Sequence, residues 1–381
     1  MPVFVADSFL KEPGILLKRQ PPLEAALLKA AKEAANGPLY SVACHRAPAG
    51  RPNDYYSQAP YWWPDAQGRY VRRDGQVYPG RFTCHVQDMN AMAEAALTLA
   101  QAGFYLDKPG YSLRAGALLR VWFLDRETRM NPSLAYGQGV PGVCTGRFYG
   151  IIDTAVLLKA VHATAYLKEQ EALVVGLREW FAAYLDWLVN SDFGRQAKAY
   201  HNNHAAWWHV QAAAYAAFTG AWGIFDACLA NFLDNVLPRQ LTAQGAFADE
   251  ITRADALTYS LFNLEAFALM AELAYVQGKG LALWQAEKGK GRSIRAAFDF
   301  LLPYLLGEAP WPYGQGTPLG LTALLPLQLG ALRLEEPRYA RTNRLLGAGS
   351  NAPFPVCRIG AMCMLPGFDI QESGRQRSWA E

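Results

Sequence analysis

Apolar residues recur three and four positions apart through most of the chain, which is the period of a helix with one buried face. The pattern predicts helices over Pro21–Ala35, Met89–Ala102, Tyr111–Phe123, Ile151–Leu167, Glu171–Val189, Asn203–Phe218 and Gly223–Leu237. It continues over Leu257–Gln277, Ser293–Leu306 and Leu319–Leu332. Gly, Pro and Asn clusters such as Lys108–Gly110 and Asn131–Ser133 separate them. Between residues 40 and 86 the period fails, and Pro, Gly, rings and charges mix. Strand-like alternation is confined to Arg69–Val77 and Phe354–Leu365. The expectation is an all-α fold. Of its two layouts, a solenoid needs a fixed repeat, and no convincing one occurs. An (α/α) toroid, an incomplete barrel of antiparallel helical hairpins, is therefore expected. No linker interrupts residues 1–381, so one domain is expected, with a lid-like aromatic loop inserted at about residues 48–86 and a frayed polar tail from Gln371.

Composition narrows the function classes. Of 381 residues, 51% are hydrophobic and 18% charged, which excludes a disordered chain. Lys and Arg number 36 against 33 Asp and Glu, a balance too even for a general nucleic-acid binder but open to a local basic cleft for an anionic substrate. Aromatics reach 13%, enough for a ring-lined groove. No apolar run approaches a membrane span. The N-terminus lacks the basic start and long apolar core of a secretory signal. As it stands the sequence reads as cytoplasmic, or as periplasmic or secreted if a leader was removed. Cys44, Cys84, Cys144, Cys228, Cys357 and Cys363 form no CxxC pair and read as free, mostly buried thiols, with a Cys357–Cys363 disulfide open to an exported protein.

Four stretches carry candidate chemistry. Asn53–Asp65 places Tyr55, Tyr56, Tyr61, Trp62 and Trp63 beside prolines in a non-helical segment. Such rings either pin a loop to the body or stack on sugar faces. Arg69, Arg72 and Arg73 follow, and their guanidinium forks match carboxylates, so the sugar would be acidic. Tyr200–Gln211 holds His201, His204 and His209, but no His-Glu pair and no nearby acid completes a metal site. The stretch reads better as a helix start with Asn202 as N-cap and Asn203 and His204 at the positive end of the dipole. Glu250–Ser260 sets Arg253 shortly before Tyr259 as a helix begins. Tyr136–Arg147 is a Gly-rich loop without P-loop or Rossmann spacing, and it reads as a loop turning Gln138 and Arg147 toward a substrate.

Together these segments resemble the alginate lyase family of polysaccharide lyases. The resemblance rests on Asp54–Ser57, Pro60–Asp65, Tyr70–Gly75, Trp122–Asp125, Thr128–Pro132, Gly146-Arg147, Asn202–His204 and Tyr259–Leu264, in the family's order over roughly residues 40–305. It implies an α/α toroid and β-elimination on 4-linked polyuronates, alginate first and glucuronan next, with no metal or organic cofactor. Asn203 and His204 match the catalytic Asn-His pair, Tyr259 the catalytic Tyr, and Arg253 the active-site Arg. Tyr55, Tyr61, Trp62, Trp63, Arg72, Arg73, Gln138, Arg147, Asn202 and Trp207 are the expected substrate-binding residues. The partner implied is an anionic polysaccharide or oligosaccharide, not a nucleic acid or a membrane.

Elimination requires the uronate carboxylate to be neutralised, a base for the proton on the adjacent carbon, and an acid for the leaving oxygen. Asn203, Arg253 and His204 fit the first role. Tyr259 fits the other two, provided that Arg253 and His204 lower its pKa from the usual value of about 10. In mannuronate the proton and leaving group share a face, and one Tyr serves both steps. In guluronate they lie on opposite faces, and His204 is the natural base. Two other readings stay open: a glycoside hydrolase using two of Asp54, Asp153, Asp249 and Glu250, and a uronate-binding protein without catalysis.

Overall fold

The computed structural model describes residues 3–4, 21–289, 291–316 and 324–348. Helices α1 (Pro21–Ala35), α2 (Cys84–Tyr105) and α3 (Pro109–Phe123) come first, and α2 packs along both α1 and α3. A 3-10 segment, Phe148–Leu157, leads into α4 (Leu158–Ala163). Then follow α5 (Glu171–Asn190), α6 (Asp192–Ala199), α7 (Asn203–Thr219) and α8 (Trp222–Asn231), and a π-turn at Phe232–Val236 joins α8 to α9 (Leu237–Gln240). The series ends with α10 (Ala256–Ala274), α11 (Ile294–Leu305), α12 (Leu324–Leu334) and α13 (Pro337–Ala348).

Two helices organise the rest. Nearly every side chain of α7 and of α10 is buried, so both are enclosed all round and mostly apolar. They pack against each other, α7 also against α5 and α8, and α10 against α11 and α12. Both begin at the same end of the structure, where the candidate residues lie. Ala212, Ala213, Ala214, Ala216 and Ala217 on α7 let its neighbours approach closely, and the large rings Trp180, Phe181, Tyr184 and Tyr215 fill the space between α5 and α7.

Most predicted helices fall where the period put them. Three differences have physical causes. The segment predicted as one helix over Ile151–Leu167 opens as 3-10, because Gly150 lies against the Gly137 backbone, where an added Cβ would sit 2.6 Å from it. The Gly223–Leu237 helix widens into its π-turn just before Pro238, which has no N–H to give to the preceding turn. Helices α6 and α13 escape the period because few of their residues are apolar. Ser191 starts α6 by accepting from the Gly194 N–H. The predicted strand Phe354–Leu365, the tail from Gln371, Cys357 and Cys363 lie outside the described residues. Of the described cysteines only Cys228 is buried, whereas Cys84 and Cys144 are half-buried and Cys44 is exposed, so the expectation of mostly buried thiols fails. No helix among the described residues is long and apolar enough to cross a membrane.

The inserted loop carries most of the strand structure. β2 (Trp62–Pro64) pairs antiparallel with β3 (Tyr70–Arg72), which shortens the predicted Arg69–Val77 strand to its first half. β1 (Tyr56–Gln58) pairs parallel with β4 (Tyr136–Gly139), tying the loop's root to the Gly-rich segment. A further small ribbon, Glu287–Lys288 with Arg292–Ser293, precedes α11.

Candidate active site

Asn202 is extended, and its side chain accepts from the His204 N–H at 3.1 Å, so it caps α7. Its carbonyl accepts from Gln240 Nε2 at 2.7 Å. Asn202 is thereby committed to holding the helix start, not to touching a substrate as expected. Asn203 is buried. Its backbone N–H and its Nδ2 both donate to Glu250 Oε1, each at 2.8 Å. The His204 ring stands edge-on to Tyr149 at 5.0 Å between centroids, with Tyr200 and Phe148 beyond. Burial first, then the charges of Arg253 and Arg147, push its pKa down to about 3, so the imidazole is neutral.

Tyr259 lies in the first turn of α10, whose leading N–H groups at Leu257 and Thr258 donate to Gln315 Oε1. The inserted loop reaches it directly, because the Tyr61 hydroxyl hydrogen-bonds the Tyr259 hydroxyl. The Arg253 guanidinium carbon sits 3.8 Å from the centre of the Tyr259 ring. Arg253 also donates twice to the loop residue Asp74, Nε to Oδ2 at 3.0 Å and Nη2 to Oδ1 at 2.9 Å. Asp74 accepts from Arg72 as well, at 2.7 Å. Burial works against the Asp74 charge, but the two arginines outweigh it and hold its carboxyl below the usual range. The expectation that Arg253 and His204 would draw the Tyr259 pKa down is overturned. Burial and then Tyr61 raise it above the ordinary value, and Arg253, already matched by Asp74, only partly offsets them. Tyr259 is a phenol here, not a phenolate.

Arg147 enters from the Gly-rich segment. Its Nε donates to the Gln138 carbonyl at 2.8 Å, and its guanidinium lies 4.8 Å from the Tyr149 ring centre and 5.7 Å from that of Trp62. Burial lowers its pKa. Among the described residues it has no carboxylate partner in an ion pair, unlike Arg253 and Arg72. Gln138 does not face outward as expected. At a positive φ of 49°, its Nε2 turns in to Asp153 at 3.0 Å, and its backbone aims Arg147.

The remaining expected contacts divide. Trp62 and Trp63 are half-buried on β2. Arg73 lies 5.2 Å from the Trp63 ring centre, and Arg72 and Arg73 are exposed. Tyr55 and Trp207 are not available to a substrate. Tyr55 is fully buried with its hydroxyl on Asp153. Trp207 is fully buried, stacked on Phe262, and donates to the Phe262 carbonyl. In both, ring area that a loop or a helix start offers to solvent is spent on the core. Asp74, Tyr149 and Tyr200 were not foreseen in the site, although Tyr200 opens one of the stretches singled out in the sequence, and Glu250 was expected only as a carboxylate of the hydrolase reading. The three histidines do not converge: His201 pairs with Asp249 at 3.0 Å, while His209 is buried against the Ala205 carbonyl and Asn231. No group of three or more His, Cys, Asp or Glu among the described residues is arranged to hold a metal.

A mostly helical scaffold thus presents a neutral His, a buried Asn, a protonated Tyr and an Arg that makes no ion pair among the described residues, beneath an aromatic, arginine-bearing loop. That constellation suits an enzyme of the polysaccharide lyase class. The family model for alginate lyase matches residues 44–311, so the chain belongs to the alginate lyase family and is a polysaccharide lyase. Among solved structures it is similar to an alginate lyase from Bacteroides ovatus, at 28% identity and a TM-score of 0.84, over 96% of this chain and 98% of that one. It is also similar to alginate lyase A1-III from Sphingomonas species A1. A His-to-Ala variant of that enzyme complexed with a tetrasaccharide matches at 15% identity and a TM-score of 0.50, over 90% and 93% of the two chains. The likenesses to the Bacteroides ovatus enzyme and to the tetrasaccharide-bound variant establish the α/α toroid. No curated protein matches the chain.

Proposed function

We propose that this lyase cleaves a 4-linked polyuronate by β-elimination, mannuronate-rich alginate first and glucuronan next. The observation that carries the reading is Arg147, a desolvated cation that makes no ion pair among the described residues and feels the Asp153 charge only without contact, held between Trp62 and Tyr149 beside His204. Such a group favours an incoming carboxylate, and the flanking rings suit a pyranose face. The tetrasaccharide bound to the A1-III variant supports an oligosaccharide ligand on this fold.

In this reading Arg147 and the Asn203 amide bind the uronate carboxylate and stabilise the negative charge that develops as the adjacent C–H bond breaks. The C–H electrons form the ring double bond, the C–O bond to the leaving sugar breaks, and its oxygen takes a proton from Tyr259. On an opposite-face substrate the neutral His204 receives the carbon's proton while the Tyr259 phenol serves as acid. On a same-face substrate Tyr259 does both: it first gives its phenol proton to solvent, then takes the carbon's proton and passes it to the leaving oxygen. A leaving oxygen that takes the place of the Tyr61 hydroxyl removes one influence that raises the Tyr259 pKa and leaves the Arg253 charge, which lowers it. Arg253, with its fork filled by Asp74, acts chiefly on Tyr259.

The test is absorbance at about 235 nm, where the conjugated uronate product absorbs, with polymannuronate, polyguluronate and glucuronan in parallel. A rise is expected, fastest on polymannuronate. New reducing ends without any rise would indicate hydrolysis and overturn the reading.

A further inference from the structure

We infer that Glu250 is a positioning residue of the lyase site, fixing which edge of the Asn203 amide faces the substrate; this rests on the function proposed above. Glu250 is fully buried, as is Asn203 to within 1%. One carboxylate oxygen, Oε1, accepts both N–H groups that Asn203 offers it. The second oxygen, Oε2, and the Asn203 Oδ1 have no hydrogen-bond partner among the described residues. An Oε1 that already accepts the Asn203 backbone N–H acts as an acceptor toward the side chain too, so it selects the orientation in which the amide nitrogen points toward it. The amide oxygen has nothing of its own to hold it, so the orientation depends on Glu250 alone. Burial raises the Glu250 pKa and Asp249 adds to the rise, while the two Asn203 N–H groups and the Arg253 charge oppose it. With one amide hydrogen held by Glu250, the other stays directed away from it and free for the uronate. A reversed amide would present its oxygen to that carboxylate and repel it.

A double-mutant cycle tests this on the full-length protein, with product absorbance as the readout. Glu250→Leu removes the acceptor and is expected to lower kcat about 100-fold, the scale of losing one preorganised donor, with KM within about threefold. Glu250→Gln keeps an acceptor oxygen and should restore most of kcat. In an Asn203→Ala background, Glu250→Leu should change kcat less than about twofold, because the group it acts through is gone. A residue needed only for folding would give losses that multiply across the cycle, and that result overturns the inference. So does Glu250→Leu with kcat near wild type. If Glu250→Leu does not fold, Glu250→Asp withdraws the carboxylate by one methylene, and the same cycle is run with it. Absence of wild-type turnover would overturn the function itself and this inference with it, whereas wild-type turnover with multiplying losses overturns the inference alone.

Discussion

Replacing Arg147 gives the sharpest test of how the site recognises its substrate. The Arg147→Ala change removes a cation that has no carboxylate partner in the free protein, so the folded chain loses little. What goes is a hydrogen bond to the Gln138 carbonyl, net about 1 kcal/mol, a longer and weaker one to the Gln138 side-chain oxygen at 3.5 Å, and ring contacts to Tyr149 and Trp62 worth about 0.5–1 kcal/mol each. Against this, the mutant no longer desolvates an unpaired charge, which burial disfavours in the native state. The terms oppose one another, and Tm should move by only a few degrees. Catalysis has no such offset. Truncating one partner of a desolvated charge pair costs about 2–5 kcal/mol. Taking the lower half of that range, because Arg147 is only half-buried, kcat/KM should fall about 30- to 400-fold at 1.36 kcal/mol per tenfold. Arg147→Lys keeps the charge but not the fork, and should recover part of the loss. The assay is initial rate by product absorbance at substrate concentrations well below KM, alongside thermal unfolding. A kcat/KM for Arg147→Ala within threefold of wild type would refute the reasoning. So would an equal fall in stability and activity, which would make Arg147 a structural residue.

Tyr259→Phe removes one hydroxyl whose partner is Tyr61, so the fold should survive while kcat drops about 100- to 10,000-fold, and a variant keeping a tenth of wild-type kcat would unseat Tyr259 as the acid. Trp207→Ala opens the core under Phe262 and should cost about 3–5 kcal/mol in denaturant unfolding with KM unchanged; a KM rise without loss of stability would return Trp207 to the substrate. Burial lowers the pKa of His162 to about 3, of His204 to about 3 and of His209 to about 4, while in the unfolded chain each titrates near 6.5. Below pH of about 6.5 the unfolded state therefore binds more protons, so stability is full above that pH and is lost progressively toward pH of about 4. Unfolding midpoints measured from pH 7 to 4.5 should fall, about one proton less steeply in His162→Gln (an approximate unit slope per histidine), and a flat profile would contradict the burial assigned to these rings.

The helices were legible where one face repeats. Pro21–Ala35 appears with the predicted limits, and Asn202 caps α7 as its position before Asn203 suggested. Legibility ended where a residue's environment comes from elsewhere in the chain. Trp207 and Tyr55 read as ring platforms from sequence, since a Trp near a helix start and a Tyr in a loop look the same whether covered or open. Phe262, 55 positions away, and Asp153, 98 positions away, cover them. The pKa of Tyr259 was misjudged for the same reason. Sequence shows Arg253 nearby, but not that Asp74 fills its fork or that Tyr61 meets the phenol.

What the sequence determined by itself is local: helical period, breaks at Gly and Pro, the cap before Asn203, the Gly-rich turn that aims Arg147, and the residue types that resemble a polyuronate lyase. Each of these follows from backbone and side-chain preferences acting within a few residues. The tertiary structure alone decided how those pieces act together. Tyr61 meets Tyr259 across 198 positions, Asp74 meets Arg253 across 179, and Glu250 holds Asn203 across 47. Those pairings exist because two wholly buried helices, α7 and α10, bring their first turns to one end of the fold and the inserted loop lies over them. Charge, desolvation and hydrogen-bond partnership depend on distance in space, and sequence fixes that distance only once the whole chain has packed.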